Sequence, residues 1–515
     1  MLWIALHLPL LSLETFAATC PAGADDAPVA LMDDHRIVSA NAAAQALGVK
    51  NGLKRATALA LAPQIVLGRA DPLRDEQAIA GIAHAALAFT PSVTLDAPVE
   101  PGDAPHTVLL EVQASLRYFG GPRALLRRLQ AALKPLGHTV HCATAPTAQG
   151  ASLLARLPEA PHGRHAPDLP ALARMLAAAP VWLLGPGREH WEALQGMGLR
   201  TVSDLEGLPR SGLARRFGAS LLDELDRARG VRPDPRIAVR LPEVFDSRLE
   251  LQARADTTEQ VLHGASILLA RLVAWASAQH AQVRRCALHM LHEPRHRHDT
   301  ATPAHTTLEI ALAEPSRDAA HLRVLLRERL AQVQLPAPTL ELRLACDDIA
   351  RGTPPNGELF PTAKSEREGL TRLVERLQAR LGSEQVQRLA QVEDHRPECA
   401  TAVRPAQAAP IPASSARRGT GSMKPPAGPT RPVWLLSAPE PLAERQQRPL
   451  LDGRPLQLLC GPERIESGWW DAALAERDYF IAQAGDGALV WIYRARLPKA
   501  VSQAGPGWFL QGRFG

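Results

Sequence analysis

The densest conformational constraint in this 515-residue chain lies between Trp182 and Gly230, where glycines punctuate short helical runs. The stretch WLLGPGREHWEALQGMGLRTVSDLEGLPRSGLARRFG opens on an apolar lead-in and a GPG turn at Gly185 to Gly187. A helical run with Trp191 and Leu194 follows, then a second turn at Gly196 and Gly198, then Thr201, Val202 and Leu205 at the start of another helix. Two short helices joined by a glycine hairpin form the helix-hairpin-helix pattern. It aims backbone N–H groups at one point and so suits phosphate oxygens without reading bases. Gly185, Gly187, Arg188, Gly196, Gly198 and Arg200 are therefore candidate DNA-contacting residues, with Arg210, Arg215 and Arg216 nearby. A glycine-punctuated connector packed in a core is the competing reading, and the arginines favour nucleic acid.

A chain this long exceeds one core, so three or four domains are expected. The balance of 58 Lys+Arg against 53 Asp+Glu, net +5, is compatible with an anionic partner and too small to demand one. Six cysteines at 20, 142, 286, 346, 399 and 460 form no CxxC pair, which argues against a zinc knuckle or disulfide scaffold and suits a reducing cytosol. A cytoplasmic, nucleoid-associated protein is expected. The opening MLWIALHLPLLSL has no Lys or Arg before its apolar run, and Pro9 interrupts it, so residues 2–8 read as a buried strand and 10–16 as a turn. No other segment reads as long enough to span a bilayer.

Strands at 29–41, 106–121 and 139–147 alternate with helices at 71–89 and 122–136 and a helix from about Ala148, an α/β arrangement on a mixed sheet. After the hairpin comes a strand at 247–252, a helix with Val261, Leu268 and Leu272, strands at 286–291 and 307–312, a helix with Leu322, Leu326 and Leu330, and a strand alternating Leu340, Leu342 and Leu344. That order is βαββαβ. Its middle loop carries His292, His296, His298 and His305 with Arg295 and Arg297, read as a solvated basic hairpin tip rather than a metal site. Residues 396–432 hold eight prolines and six Arg/Lys against one acid, the composition of a linker. Residues 433–515 carry five of nine tryptophans, 434, 469, 470, 491 and 508, which reads as the aromatic core of a small β-rich module.

This order of parts resembles the Y-family, or translesion, DNA polymerases, and the C-terminal GPERIESGWWD, RDYF and WFLQGRFG are similar to its ImuB-type branch in the bacterial mutagenesis cassette. The resemblance implies an α+β multidomain fold: a palm/fingers-like domain over 1–175, a helix-hairpin-helix thumb over 176–240 and a βαββαβ little finger over 241–350. A clamp-peptide segment and helix over 351–395, a disordered linker over 396–432 and a Trp-rich module over 433–515 complete it.

An active member holds two metal ions on converging carboxylates. Aligned through Glu14, the first-strand positions fall on Ala5 and His7, and the steric-gate aromatic on Leu10. Aligned through LLEVQASLRYFGG, the Asp-Glu pair falls on His106 and Thr107, with the downstream acid kept as Glu111. The resemblance then implies a non-catalytic adaptor with no cofactor and no metal. It would bind primer-template DNA and the sliding clamp, and recruit a RecA-like partner (ImuA) and an error-prone C-family polymerase. A divergent active polymerase using Asp96, Asp103 or Glu111 is the alternative. The clamp peptide is expected at Asn356, Gly357, Glu358, Leu359 and Phe360, which keeps the Leu-Phe pair of the QLxLF-type motif and departs at Asn356 and Gly357. Gln334-Leu335-Pro336 is the weaker site.

Overall fold

The computed structural model describes residues 1–20, 27–97, 105–159, 163–293, 303–352, 363–406, 431–432, 434–471, 473–496 and 507–514, with side chains of the helix Ala363–Leu381 described from 369 on. It divides into two compact units, Met1–Arg380 and Leu381–Gly515.

The first unit is built on a four-stranded antiparallel sheet in the order Val93–Leu95, Thr107–Glu111, Trp3–His7, His141–Ala145. The period-2 alternation of strands sends Ile4, Leu6, Val108 and Leu110 to one face, under the helices Pro72–Leu87 and Pro122–Leu133. Ala5, Leu109 and Ala143 go to the other, under the helix Ala148–Arg156. Both faces are covered, so the first strand is apolar along most of its length. Residues 10–16, read as a turn, instead lead into and form most of the helix Leu11–Ala18, whose Leu11, Leu13 and Phe16 are buried. A small three-stranded sheet of Val29–Asp33, Arg36–Ala40 and Val66–Gly68 has its own core around Ile37 and Ala58.

Short helices from Leu169–Ala177 to Ala219–Arg229 follow, and then an extended segment whose Val239 amide donates to the Val93 carbonyl (2.8 Å) at the sheet edge. Beyond it the βαββαβ order appears as Phe245–Ala255, Thr258–Ala278, Ala281–His292, His305–Ser316, Ala319–Leu330 and Thr339–Arg351. The strands make an antiparallel sheet with the third and first at its edges. Helix Thr258–Ala278 starts on a capping box of Thr257 with Gln260. At 21 residues it is long and apolar enough to cross a membrane, contrary to the sequence reading; here Val261, Ala265, Leu268 and Leu272 are in the domain core. Trp275 is fully buried, and its indole N–H donates to the Pro242 carbonyl (2.9 Å). The helix Ala363–Leu381 is turned outward: Leu370, Leu373, Leu377 and Leu381 are exposed, while Glu375 is buried and accepts from the Ala313 amide (2.6 Å) on the edge strand.

In the second unit seven antiparallel strands between Trp434 and Arg513 form one sheet. Leu456, Ile492 and Leu510 pack on one side, and Tyr479, Trp491 and Tyr493 on the other. Trp491 and Trp508 are core residues, but Trp434, Trp469 and Trp470 are exposed, so the tryptophans are not all core. The expected linker also begins too early. Gln387–Gln391 pairs with Thr401–Pro405, and between them Arg396 donates to Asp394 (2.7 Å), Asp471 (2.5 Å) and the Ala473 carbonyl (3.0 Å). Those bonds fasten residues 387–405 to the Trp-rich module, so the division between the two units falls at 380/381; 407–430 lie outside the described residues.

Removing the Trp275 side chain leaves a cavity in the core of the βαββαβ domain and takes one of the two donors, the other being the Gln279 side-chain amide (3.2 Å), from the Pro242 carbonyl. Trp275→Ala is expected to destabilise the first unit by about 3–5 kcal/mol, read by urea denaturation.

Candidate functional site

The four positions at which the sequence lacks metal-binding acids do come together. The register pairs His7 with Thr107 on one side and with His141 on the other, and the His106 carbonyl accepts from the Leu8 amide (2.8 Å). Ala5 lies two residues back on the same face, fully buried against the helix Ala148–Arg156. His7 Nδ1 bonds the Thr107 hydroxyl at 2.9 Å. Burial first, then Arg156, His106 and His141, hold the His7 imidazole down to about 3, so it is neutral at physiological pH. Magnesium takes hard oxygen ligands, chiefly carboxylates. A methyl group, a neutral imidazole, an engaged hydroxyl and a guanidinium do not fit it, and among the described residues no three His, Cys, Asp or Glu are grouped to hold a metal.

The nearby acids are engaged elsewhere. Asp96 donates its amide to the Thr107 carbonyl (2.9 Å), so it is next to the corner. Its carboxylate, though, pairs with Arg236 (2.9 Å) and accepts from the Ser152 hydroxyl. Glu111 is at the far end of its strand, opposite Trp3, and accepts from the Gln113 amide (3.0 Å). Asp103 lies outside the described residues. Leu10 is partly exposed just ahead of the helix Leu11–Ala18.

The hairpin departs from expectation in its amides. Helices Gly185–Glu189, Trp191–Gly196 and Val202–Glu206 are present, and Gly198 takes the left-handed conformation (φ 82°) that the turn requires. However, the Gly185 amide donates to Glu224 (3.0 Å), and the Arg200 and Thr201 amides both donate to Asp204 (2.9 and 2.8 Å). The Gly198 amide donates to the Gln195 carbonyl (2.9 Å). These donors are therefore satisfied within the chain rather than aimed at a phosphate. The Asp204 carboxyl is kept below its usual range by the Thr201 and Arg200 amides. Gly187 is fixed by packing: a Cβ there would lie 2.1 Å from the Val181 carbonyl oxygen. What the hairpin does present is charge. Arg188 and Arg200 are exposed, with Arg188 over the Trp182 ring, and neither has an ion pair among the described residues, whereas Arg210 is paired with Asp226 (2.6 Å).

Of the histidine-rich loop, His296 and His298 lie outside the described residues. His292 is buried and bonded to the Thr306 hydroxyl (2.8 Å), so it is a structural residue and not part of a solvated tip. Asn356, Gly357, Glu358, Leu359 and Phe360, expected to bind the clamp, also lie outside the described residues. Leu335 packs against the little-finger-like core, which weighs against a free peptide at Gln334-Leu335-Pro336.

Sequence reasoning missed the side chains that connect distant parts of the site. Arg236 bonds Asp96, Asp234 (2.8 Å) and Gln149 (2.6 Å), and Gln149 bonds Glu224 (2.8 Å). Asp204 alone carried a local signal, as the third residue after Thr201 in a capping box.

Compared with known proteins, residues 12–156 match the IMS family, described as impB/mucB/samB. Two proteins named Protein ImuB, from Caulobacter vibrioides strains NA1000 / CB15N and ATCC 19089 / CIP 103742 / CB 15, are each 29% identical over 497 residues. The match spans 91% of this chain and all of each relative. Among solved structures, a Dbh ternary complex (15% identical, TM-score 0.36) and DinB from Sulfolobus solfataricus (16%, TM-score 0.37) each align over their full length with 68% of this chain.

The depressed His7 pKa makes a stability prediction. The unfolded imidazole takes up a proton near its ordinary 6.5, whereas the folded one stays neutral down to about 3. Stability is thus lost as pH falls below about 6.5, by about 2 kcal/mol from this group at pH 5. His7→Gln should flatten the fall between pH 7 and pH 5 in denaturant midpoints, relative to the unsubstituted protein.

Proposed function

We propose that this chain, which is ImuB-like and Y-family-like in its impB/mucB/samB portion, is a non-catalytic adaptor in DNA damage tolerance. The observation that carries the reading is the corner formed by Ala5, His7, His106 and Thr107. The polymerase-like order of parts is kept, but the carboxylates that nucleotidyl transfer needs are replaced by groups that do not suit magnesium. Asp96, whose amide bonds the Thr107 carbonyl, has its carboxylate engaged by Arg236, which also weighs against a divergent polymerase. The chain binds primer-template DNA through the exposed Arg188 and Arg200 and through the little-finger-like sheet. It is tethered to the sliding clamp by Asn356 to Phe360, with Leu359 and Phe360 filling an apolar pocket, and it recruits a RecA-like partner (ImuA) and an error-prone C-family polymerase that performs the synthesis. The setting is cytoplasmic, at the nucleoid.

Primer extension with the purified chain in Mg²⁺ or Mn²⁺, beside an active polymerase as control, is expected to give no product; metal-dependent extension abolished by Asp96→Asn would establish the enzyme instead. In a pull-down with purified clamp, Leu359→Ala with Phe360→Ala is expected to abolish retention, and equal retention would remove the tether. Arg188→Gln with Arg200→Gln should weaken duplex binding without sequence dependence and reduce the salt slope by about two, measured by fluorescence anisotropy across salt concentrations.

A further inference from the structure

The helical layer on the far side of the sheet from the corner carries a concentration of charge that the adaptor reading does not use. Residues 112–137 hold Arg117, Arg123, Arg127, Arg128 and Lys134 and no Asp or Glu. The whole chain is only net +5, so the rest of it is balanced and the excess lies in this one segment. The segment folds as the helices Leu116–Phe119 and Pro122–Leu133, followed by a tight turn at Lys134–Leu136. Leu125, Leu129 and Leu133 are buried with Ile4, Leu6, Val108 and Leu110, on the sheet face turned away from Ala5 and Leu109. Helical periodicity then sends Arg123, Arg127 and Lys134 outward along a ridge about 16 Å long.

All five cations are exposed, and none has a hydrogen bond or ion pair among the described residues. Nor does a neighbouring element bring acids to them. The helix Pro72–Leu87 meets the segment at Gly81, where a Cβ would lie 3.7 Å from Leu136, and the Phe89 ring just beyond it is 5.1 Å from that of Phe119. Residues 77–89 contain no Asp or Glu. Glu111, before the segment, accepts from the Gln113 amide (3.0 Å), and Glu14 accepts from the Thr139 amide (2.9 Å) just after it. Beside the ridge, Tyr118 is 83% exposed and edge-on to Phe119 (4.9 Å), while the Arg128 guanidinium lies over that same Phe119 ring (5.8 Å).

Charge alone would suit any polyanion, and the exposed ring narrows the choice. A duplex keeps its base faces stacked inside, and an acidic protein segment has none to offer. A single strand presents phosphates to the guanidinium groups and a free base face to the ring. We propose that Tyr118 and the ridge of Arg123, Arg127 and Lys134 form a binding surface for single-stranded DNA, separate from the corner by the thickness of the sheet. It uses neither Arg188 nor Arg200, so it goes beyond the DNA-binding reading above and stands or falls apart from it.

The test is fluorescence anisotropy on the full chain across salt concentrations, with an oligothymidine of about 20 nucleotides and a blunt duplex of matched length. Tyr118→Ala is expected to weaken oligothymidine binding about tenfold with the salt slope unchanged, Tyr118→Phe to restore it, and the duplex to be unaffected by either. Arg123→Gln with Arg127→Gln should weaken oligothymidine binding and reduce its salt slope by about 1.4. Arg188→Gln with Arg200→Gln should leave both effects in place, so the hairpin reading can fail while this site stands. The substituted side chains are all exposed, and unchanged melting is expected of every variant. Failure of the unsubstituted chain to bind oligothymidine overturns the proposal, as does undiminished binding by the paired Arg123 and Arg127 variant. Undiminished binding by Tyr118→Ala overturns the single-strand assignment; if polyglutamate then displaces the oligothymidine, the ridge is a site for an acidic protein segment instead.

Discussion

The first unit depends on the strand Trp3–His7 being enclosed on every side. Thr107–Glu111 and His141–Ala145 hold its two edges, and helical layers cover its two faces. Backbone donors there have no route to water, so the ladder must close, and side chains on both faces must be apolar or internally bonded. His7 at the strand end is the exception that meets the second condition, through the Thr107 hydroxyl. The same enclosure that makes the sheet stable brings His7, Thr107 and His141 side by side at the end of the strand.

Local signals made the frame legible in the sequence. Alternating leucines at 340, 342 and 344 and the spaced apolar residues of Thr258–Ala278 have periods that fit only one kind of element, so the βαββαβ order could be read without tertiary information. The substituted positions Ala5, His7, His106 and Thr107 were legible for a related reason, since strand register carries residues of fixed spacing to one place. Long-range polar bonds were not legible. Nothing near Gly185 indicates that Glu224, 39 residues on, takes its amide, or that Arg236 reaches Asp96 across 140 residues. A reading of the hairpin as a set of open donors followed from local pattern alone, and side chains from other elements had already closed it.

Periodicity also misleads where a helix buries its polar side. Leu370, Leu373, Leu377 and Leu381 have the spacing of a core-facing stripe, yet Glu375 is buried, with Ala379 one turn on, because the edge strand His305–Ser316 offers the Ala313 and Glu314 amides to a carboxylate. His321 bonds the second oxygen of Glu375 at 2.8 Å, which completes its satisfaction. An unpaired strand edge is costly to leave uncovered, and here the cover is polar. Likewise the proline-rich composition after residue 396 suggested chain without structure, while Arg396 alone makes enough bonds to hold its neighbourhood in the second unit.

The state of the corner is not one substitution away from a carboxylate cluster. Position 5 is fully buried among Leu109, Ala143 and Leu153, so an aspartate there would be desolvated before any ion reached it, and its charged form would be penalised. An acid at position 7 would lie close to Arg156, which would compete with a metal for it. Asp96 would have to abandon Arg236, leaving that arginine with Asp234 and Gln149 and loosening the tie between the sheet edge and the segment at 234–239. Each change is opposed by a group that the present arrangement already satisfies. The arginine contacts and the apolar packing at position 5 thus support the same arrangement of the corner, because its residues are mutually consistent.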